Sequence, residues 1–138
     1  MAAREILKFP DVDKITIVDI DPAVTKLGQE HPLFVAANLG AMNNERVEVR
    51  NEDAYTFLKS SAKLYDIVLV DLPDPKSLAL ARLYSKQFYE LIRRHLSQGG
   101  VVVTQATSPF FAPKAFTSIL KSVQAAGFAT VPFHNHVP

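Results

Sequence analysis

Residues 65–75 read YDIVLVDLPDP. The run from Ile67 to Val70, entered through Tyr65 and Asp66, is apolar throughout, which is typical of a parallel strand buried on both faces. The prolines in the loop from Asp71 to Pro75 restrict the φ angle and resist helix formation. The sequence therefore predicts a buried strand that ends in a rigid, acidic loop.

Short apolar runs alternate with helical segments on either side of this loop. The strand candidates are Ile15–Ile20, Val47–Arg50, Val101–Thr104 and Ala129–Phe133, and the helix candidates are Pro22–Glu30, Ala54–Ser60, Ser85–Leu96 and Pro113–Ala126. Gly99 and Gly127 stand where helix C-caps are expected. The alternation predicts βαβ units with right-handed crossovers, and hence a doubly wound, mostly parallel α/β sheet. Residues 1–138 are expected to form one domain.

Composition excludes several classes of protein. Hydrophobic residues make up 48% of the 138 residues and charged residues 21%, so the chain is not of a disordered class. The net charge is only +1, and nothing indicates a nucleic-acid partner. The absence of cysteine excludes disulfides, thiolate catalysis and cysteine-based zinc sites. With no apolar run of about 18 residues and no signal peptide, a soluble intracellular domain is expected.

Acidic residues cluster where the predicted strands end. They are Asp19 and Asp21, Glu52 and Asp53, and Asp71 and Asp74. Ligands of open α/β sheets bind outside the carboxyl ends of the strands, so these carboxylates are expected to share one edge. Each of them alone is equally consistent with a solvated helix cap or turn residue.

Two of these positions suit a nucleoside. An acidic residue where Asp19 stands commonly accepts hydrogen bonds from both ribose hydroxyls. Asp53 can accept from the exocyclic amine of adenine while the Ala54 backbone N–H faces a ring nitrogen, although Asp53 can equally cap the following helix. Asp21, directly before Pro22, is expected to be a helix cap.

The loop from Asp71 to Pro75 suits a cationic amine. A carboxylate within hydrogen-bond reach can take the proton that an amine must lose before it attacks an electrophile, and a second carboxylate can hold another charged nitrogen. A proline-rich turn with solvated aspartates is the other interpretation. Tyr84 lies close to this loop in sequence and can point inward, and Gln105 can bind an amine or adenosine group or simply pack.

The four histidines are weaker candidates for a functional site than these carboxylates. His134 and His136 would share one face of a strand, which can mimic a metal-binding pair, but no third ligand accompanies them. His95 near a helix C-terminus is explained by the helix dipole. No metal site is expected.

Five segments resemble, in order along the chain, segments of the spermidine synthase family. They are IVDIDP at 17–22, EDA at 52–54, YDIVLVDLPDP at 65–75, LYSKQFY at 83–89 and GGV at 99–101. The family consists of polyamine aminopropyltransferases with a Rossmann-like fold of the methyltransferase type. The Leu72-Pro73 pair, Gln105–Pro109 and the ending Phe133–Pro138 are most similar to a bacterial branch fused to an N-terminal membrane region.

The resemblance implies a function. The family transfers an aminopropyl group from decarboxylated S-adenosylmethionine to an amine such as putrescine, giving spermidine and methylthioadenosine. It implies Asp71 as proton acceptor, Asp74, Tyr84 and Gln105 as contacts of the amine, and Asp19, Asp53 and Ala54 as contacts of the donor nucleoside. The expected partners are these small molecules and a second copy of the chain, and no metal cofactor is implied.

The chain also departs from the family. The glycine-rich loop after the first strand would stand before Ala2, and residues 2–10 read as the end of a helix. The first and last strands of the family fold are therefore expected to be missing, with the first strand normally lying between the second and the fourth. The isolated chain is expected to be inactive. The expected location is the cytoplasm, or the cytoplasmic face of a membrane if the parent carries a membrane region.

Two other functions fit part of the pattern. An S-adenosylmethionine-dependent methyltransferase would share the fold, Asp19 and Asp53, but would usually lack a paired-carboxylate loop for a cationic amine. A non-catalytic nucleoside-binding or assembly domain is the other alternative.

Overall fold

A computed structural model describes residues 2–75 and 77–133. Its helices are α1 (Ala2–Ile6), α2 (Pro22–Glu30), α3 (Pro32–Asn38), α4 (Ala54–Ser60), α5 (Leu78–Arg82), α6 (Lys86–Arg94) and α7 (Pro113–Ala125), with a 3₁₀ turn at Ala41–Asn43. Its strands are β1 (Ile15–Asp19), β2 (Val47–Asn51), β3 (Tyr65–Val70) and β4 (Leu96–Thr104). The chain divides into two compact units, Met1–Ser60 and Ser61–Pro138.

In the first unit β1 and β2 form a parallel pair. Ile15 lies opposite Val47, and Asp19 lies opposite Asn51. β1 ends one residue earlier than the sequence predicts and β2 extends one residue further. As a result, the side chains of Asp19 and Asn51 leave the sheet from paired positions at its carboxyl edge.

Two consecutive helices pack together in the first unit. α2 has the predicted bounds, and Asp21 caps it, as expected, by accepting a hydrogen bond from the Ala23 N–H. α3, which the sequence pattern does not reveal, also begins at a proline, where the missing N–H costs nothing. The fully buried Asn38 at the end of α3 donates to the Gly28 carbonyl of α2 at 2.7 Å, which joins the two helices.

In the second unit β3 and β4 pair in parallel, and β4 begins at Leu96, opposite Tyr65. The predicted helix Ser85–Leu96 therefore ends early, at Arg94. The prediction of Gly99 as a helix C-cap is wrong, because Gly99 lies inside β4 with a φ of +79°. The strand register is irregular there, and glycine adopts this left-handed conformation at little steric cost within the bulge.

Helix α6 packs against β4 and α7 to form the core of the second unit. Its buried side chains include Phe88, Tyr89 and Ile92, and α7 adds Ile119 and Val123. Ser85 caps α6 by accepting from the Phe88 N–H at 3.2 Å. The C-cap of α7 is Ala126, and Gly127, predicted at this cap, follows it with a φ of +89°, the left-handed conformation that commonly ends a helix.

One face of the second sheet is exposed. Its apolar side chains are Ile67, Leu69, Val101 and Val103, and Ile67 is 59% exposed. The opposite face carries the buried Val70, together with Thr104, to which Tyr89 of α6 is hydrogen-bonded. The prediction of burial on both faces is therefore wrong for β3 and β4 within the described residues, because α6 covers only the Thr104 side.

The predicted strand Ala129–Phe133 is not formed either. Residues 129–133 are irregular, and Val131 is largely exposed, because no strand of the described chain pairs with this segment. The two parallel pairs that do form join β1 to β2 and β3 to β4.

Candidate active site

The acidic loop begins where β3 ends. Val70 pairs with Thr104, the last residue of β4. Gln105, which follows β4, donates its backbone N–H to the Val70 carbonyl at 2.9 Å. Asp71 and Gln105 therefore leave the carboxyl edge of the sheet from neighbouring strands. Both residues are exposed, and Asp74 is half-buried.

Tyr84 joins this loop to Gln105. Its ring is only 4% exposed. Its hydroxyl oxygen lies 2.8 Å from the Leu72 carbonyl oxygen, 3.2 Å from that of Pro73 and 3.3 Å from Oε1 of Gln105. Burial raises the pKa of Tyr84 to about 12, with smaller contributions from Tyr89 and from the charges of Asp74 and Asp71. The hydroxyl therefore keeps its proton and acts as a hydrogen-bond donor at neutral pH.

A second buried tyrosine supports the end of β4. The Tyr89 and Thr104 hydroxyls share a 2.9 Å hydrogen bond, and the Thr104 hydroxyl also lies 3.2 Å from the Gln105 carbonyl oxygen. Burial raises the pKa of Tyr89 as well, and its bond to Thr104 acts in the opposite direction. The supporting bond from Tyr89 to the end of β4 becomes visible only in the structure.

The predicted ribose contact, Asp19, stands at the end of β1. Its Oδ1 accepts a hydrogen bond from the Asp21 backbone N–H at 2.8 Å. Asn51, which the sequence analysis does not single out, donates to the Thr25 hydroxyl at 2.9 Å and lies 3.4 Å from the Asp19 carbonyl oxygen. Asn51 thus ties the end of β1 to α2, and its signal in the sequence is a polar residue directly after the predicted strand Val47–Arg50.

The predicted adenine contacts lie at the start of α4. One oxygen of Asp53 accepts from both the backbone N–H and the hydroxyl of Thr56, at 2.8 and 2.9 Å. Asp53 is therefore a helix cap, which was one of its two interpretations. Its second oxygen has no partner among the described residues, and Ala54 is the first residue of α4, so its N–H needs no partner inside the helix. Asp53 can therefore cap α4 with one oxygen and contact an adenine amine with the other.

The two histidines among the described residues make hydrogen-bond or packing contacts within the fold. His95 is buried, with its two ring nitrogens each 2.9 Å from a backbone carbonyl oxygen, those of Leu91 and Ser61. His31 packs edge-on against the Phe34 ring. His134 and His136 lie outside the described residues. Within residues 2–75 and 77–133 no group of three or more acidic, histidine or cysteine side chains is arranged to hold a metal ion.

None of the described helices is both long enough and apolar enough to cross a membrane.

The arrangement in the second unit can bind and deprotonate an amine. Asp71 and Asp74 are two negative charges on a loop that contains two prolines and is held by a buried tyrosine. Such a loop attracts a cation, and a carboxylate at the sheet edge can accept its proton. In the first unit, Asp19 and Asp53 offer carboxylate oxygens at strand ends, which suits the hydroxyls and amine of a nucleoside.

Acidic residues at the carboxyl ends of parallel α/β strands are typical of proteins that bind nucleosides or nucleotides. The sequence model of the spermine/spermidine synthase domain matches residues 1–138, which is the whole chain. The chain therefore belongs to the spermine/spermidine synthase domain family, and the resemblance seen in its motifs is confirmed.

Curated relatives agree with this membership. Polyamine aminopropyltransferases of Oceanobacillus iheyensis and Streptomyces coelicolor are each 44% identical to this chain over 138 residues, and that of Mycobacterium tuberculosis is 43% identical over 141 residues. All of this chain is covered, against 27%, 26% and 27% of the respective relatives. The chain thus spans about a quarter of the length of these proteins.

Two solved structures share the fold. The spermidine synthase from Thermotoga maritima aligns with 89% of this chain and 40% of its own, with a TM-score of 0.76 and 20% identity. A spermidine synthase in complex with the transition-state analogue AdoDATO aligns with 89% of this chain and 41% of its own, with a TM-score of 0.79 and 19% identity. The Rossmann-like α/β fold predicted from the sequence is confirmed.

Proposed function

We propose that this chain is part of a polyamine aminopropyltransferase. The reaction transfers an aminopropyl group from decarboxylated S-adenosylmethionine to an amine such as putrescine, with spermidine and methylthioadenosine as products. The observation that carries the proposal is the pair of carboxylates, Asp71 and Asp74, on one proline-containing loop at the sheet edge. Curated relatives named polyamine aminopropyltransferase support it.

The chemistry of the step explains the need for two carboxylates. The amine nitrogen attacks the aminopropyl carbon bonded to the sulfonium, a new C–N bond forms, and the C–S bond breaks. The bonding electron pair returns to sulfur, which leaves as the neutral thioether of methylthioadenosine. Asp71 takes the proton from the attacking nitrogen, and Asp74 holds a charged nitrogen of the same substrate. The sulfonium itself supplies the leaving group, so none of these steps needs a metal ion.

The donor nucleoside is assigned to the first unit. Asp19 would accept hydrogen bonds from the ribose hydroxyls, and the second oxygen of Asp53 would accept from the adenine amine while Ala54 N–H donates to a ring nitrogen. Tyr84 and Gln105, in the second unit, are assigned to the acceptor amine. The free oxygen of Asp53 supports the adenine contact, since the other oxygen already serves Thr56.

We further propose a homo-oligomer located in the cytoplasm, or on the cytoplasmic face of a membrane if the intact protein carries a membrane region. The exposed apolar face of β3 and β4 supports association with further protein surface. The curated relatives are about four times as long as this chain, which leaves room for an additional region.

The test is turnover by a full-length protein that contains these 138 residues. The protein is incubated with decarboxylated S-adenosylmethionine and a panel of diamines of different length, and methylthioadenosine and the new polyamine are quantified together. The proposal predicts both products in equal amounts. Methyl transfer from S-adenosylmethionine with no aminopropyl transfer would favour the methyltransferase alternative, and binding of methylthioadenosine without any turnover would favour a non-catalytic domain.

A further inference from the structure

Tyr84 stands at the junction of two helices. α5 ends at Arg82, and Ser85 caps the start of α6. The Tyr84 backbone N–H donates to the Ala81 carbonyl at 3.1 Å, and the ring is buried. The position of its hydroxyl is therefore set by the backbone on both sides and by core packing, independently of any ligand.

The acidic loop depends on this hydroxyl. Pro73 and Pro75 have no N–H, so the loop lacks two of the donors that would otherwise anchor it. Among the described residues, the backbone of 72–75 is tied to the rest of the second unit by hydrogen bonds from Tyr84 to the Leu72 and Pro73 carbonyls. Asp71 and Asp74 stand directly before and after Leu72 and Pro73 in the chain.

The Tyr84 hydroxyl also contacts the side chain of Gln105. It carries one proton but lies near three oxygens, and the shortest distance, 2.8 Å, is to the Leu72 carbonyl. The Gln105 amide oxygen faces the same hydroxyl at 3.3 Å, so Tyr84 also contacts the side chain that follows β4. This contact holds the Gln105 side chain beside the acidic loop at the carboxyl edge of the sheet.

We propose that Tyr84 is a positioning residue, which holds the acidic loop through the Leu72 and Pro73 carbonyls and holds the Gln105 side chain beside that loop. It acts through Asp71, Asp74 and Gln105 and does not itself touch the reacting atoms. The inference rests on the proposed function, since it assigns these groups to the amine side of an aminopropyl-transfer site.

The first test is steady-state kinetics of Tyr84→Phe in a full-length protein that contains this sequence. Loss of one positioning bond is expected to raise the Michaelis constant for the amine and lower turnover, reducing kcat/KM for the amine by about 10- to 100-fold. The Michaelis constant for the donor should not change. If kcat and both Michaelis constants stay at wild-type values, Tyr84 has only a structural role and the proposal is wrong.

Tyr65→Phe is the matched control. Tyr65 begins β3, at the opposite end from Asp71, and its hydroxyl is buried with no hydrogen-bond partner among the described residues. Removing it deletes the same atom from the same kind of ring without touching the loop, so wild-type kinetics are expected. If kcat/KM for the amine falls as much in Tyr65→Phe as in Tyr84→Phe, the effect is not specific to the loop, and the positioning role of Tyr84 is wrong.

A second measurement does not depend on turnover. Amide hydrogen exchange of the peptide that contains Asp71, Leu72 and Asp74 should be faster in Tyr84→Phe than in the wild type and in Tyr65→Phe, because the loop carbonyls lose their donor. Unchanged exchange would refute the anchoring of the loop. If exchange accelerates but the wild-type protein transfers no aminopropyl group to any amine, the proposed function fails while the anchoring stands.

The role in holding Gln105 is tested by a double-mutant cycle. If Tyr84 acts partly through Gln105, Tyr84→Phe should reduce kcat/KM less in a Gln105→Ala background than in the wild type. Fully additive losses would contradict this part of the proposal.

Discussion

Replacement of Asp71 by Asn separates the chemistry of the site from its structure. The substitution keeps the size and shape of the side chain but removes its ability to accept a proton as a base. Asp71 is exposed, and its side chain forms no hydrogen bond or ion pair with the other described residues. The fold should therefore lose less than about 0.5 kcal/mol of stability, and the loss of activity reports on the reaction itself.

The size of the kinetic effect follows from the assigned role. A positioned general base contributes about 10²- to 10⁴-fold to rate. Turnover of Asp71→Asn should fall by that factor, which corresponds to about 3–5 kcal/mol of activation free energy. Asp74→Asn should differ in kind: its main effect should be a Michaelis constant for the amine that rises by about 10-fold or more, since it weakens a charged hydrogen bond made in the ground state.

The assay is production of methylthioadenosine by a full-length protein, with saturating donor and increasing diamine. Asp13→Asn, at an exposed position outside the candidate site, is the matched control and should have wild-type kinetics. Near-normal turnover of Asp71→Asn at saturating amine would refute its assignment as the base. An equal loss in Asp13→Asn would show that the assay reports on folding.

Three further predictions concern stability, the donor site and the isolated chain. Because burial raises the pKa of Tyr84 to about 12, its contribution to stability is fully present below about pH 10 and is lost as the pH rises toward 12. Tyr84→Phe should remove this loss from urea-unfolding curves, and identical alkaline curves would contradict it. Asp53→Ser keeps the cap of α4 but loses the second carboxylate oxygen, so it should raise the Michaelis constant for the donor; a normal constant would leave Asp53 as a cap alone. The 138-residue chain by itself should have no measurable aminopropyltransferase activity and should bind methylthioadenosine weakly or not at all in isothermal titration. Micromolar binding would show that its aspartates suffice to form the donor site.

Much of the secondary structure follows from neighbours in sequence. The predicted bounds Pro22–Glu30 and Ala54–Ser60 are those of α2 and α4, because caps and first-turn prolines act over only a few residues. The sequence pattern does not reveal α3 and α5, since they have only seven and five residues and show no clear helical period. The start of β4 is also misjudged, because it depends on pairing with Tyr65 in another strand.

The chemical character of the site is likewise visible in the sequence. Asp71 and Asp74 follow an apolar strand, and the carboxyl ends of parallel strands are where ligands bind. The sequence by itself therefore determined the fold class, the family and the acidic loop. It left open whether Asp53 is a cap, and the structure shows that one of its oxygens serves as one.

Only the tertiary structure decided what holds the loop in place. By pattern Tyr84 is one more aromatic residue beside a helix, yet its hydroxyl meets carbonyls 12 and 11 residues earlier and a glutamine 21 residues later. Such contacts depend on how the junction of α5 and α6 packs against the ends of β3 and β4. Local propensity contains no information about that packing, because the energy of a buried hydrogen bond depends on groups that are brought together only by the folded chain.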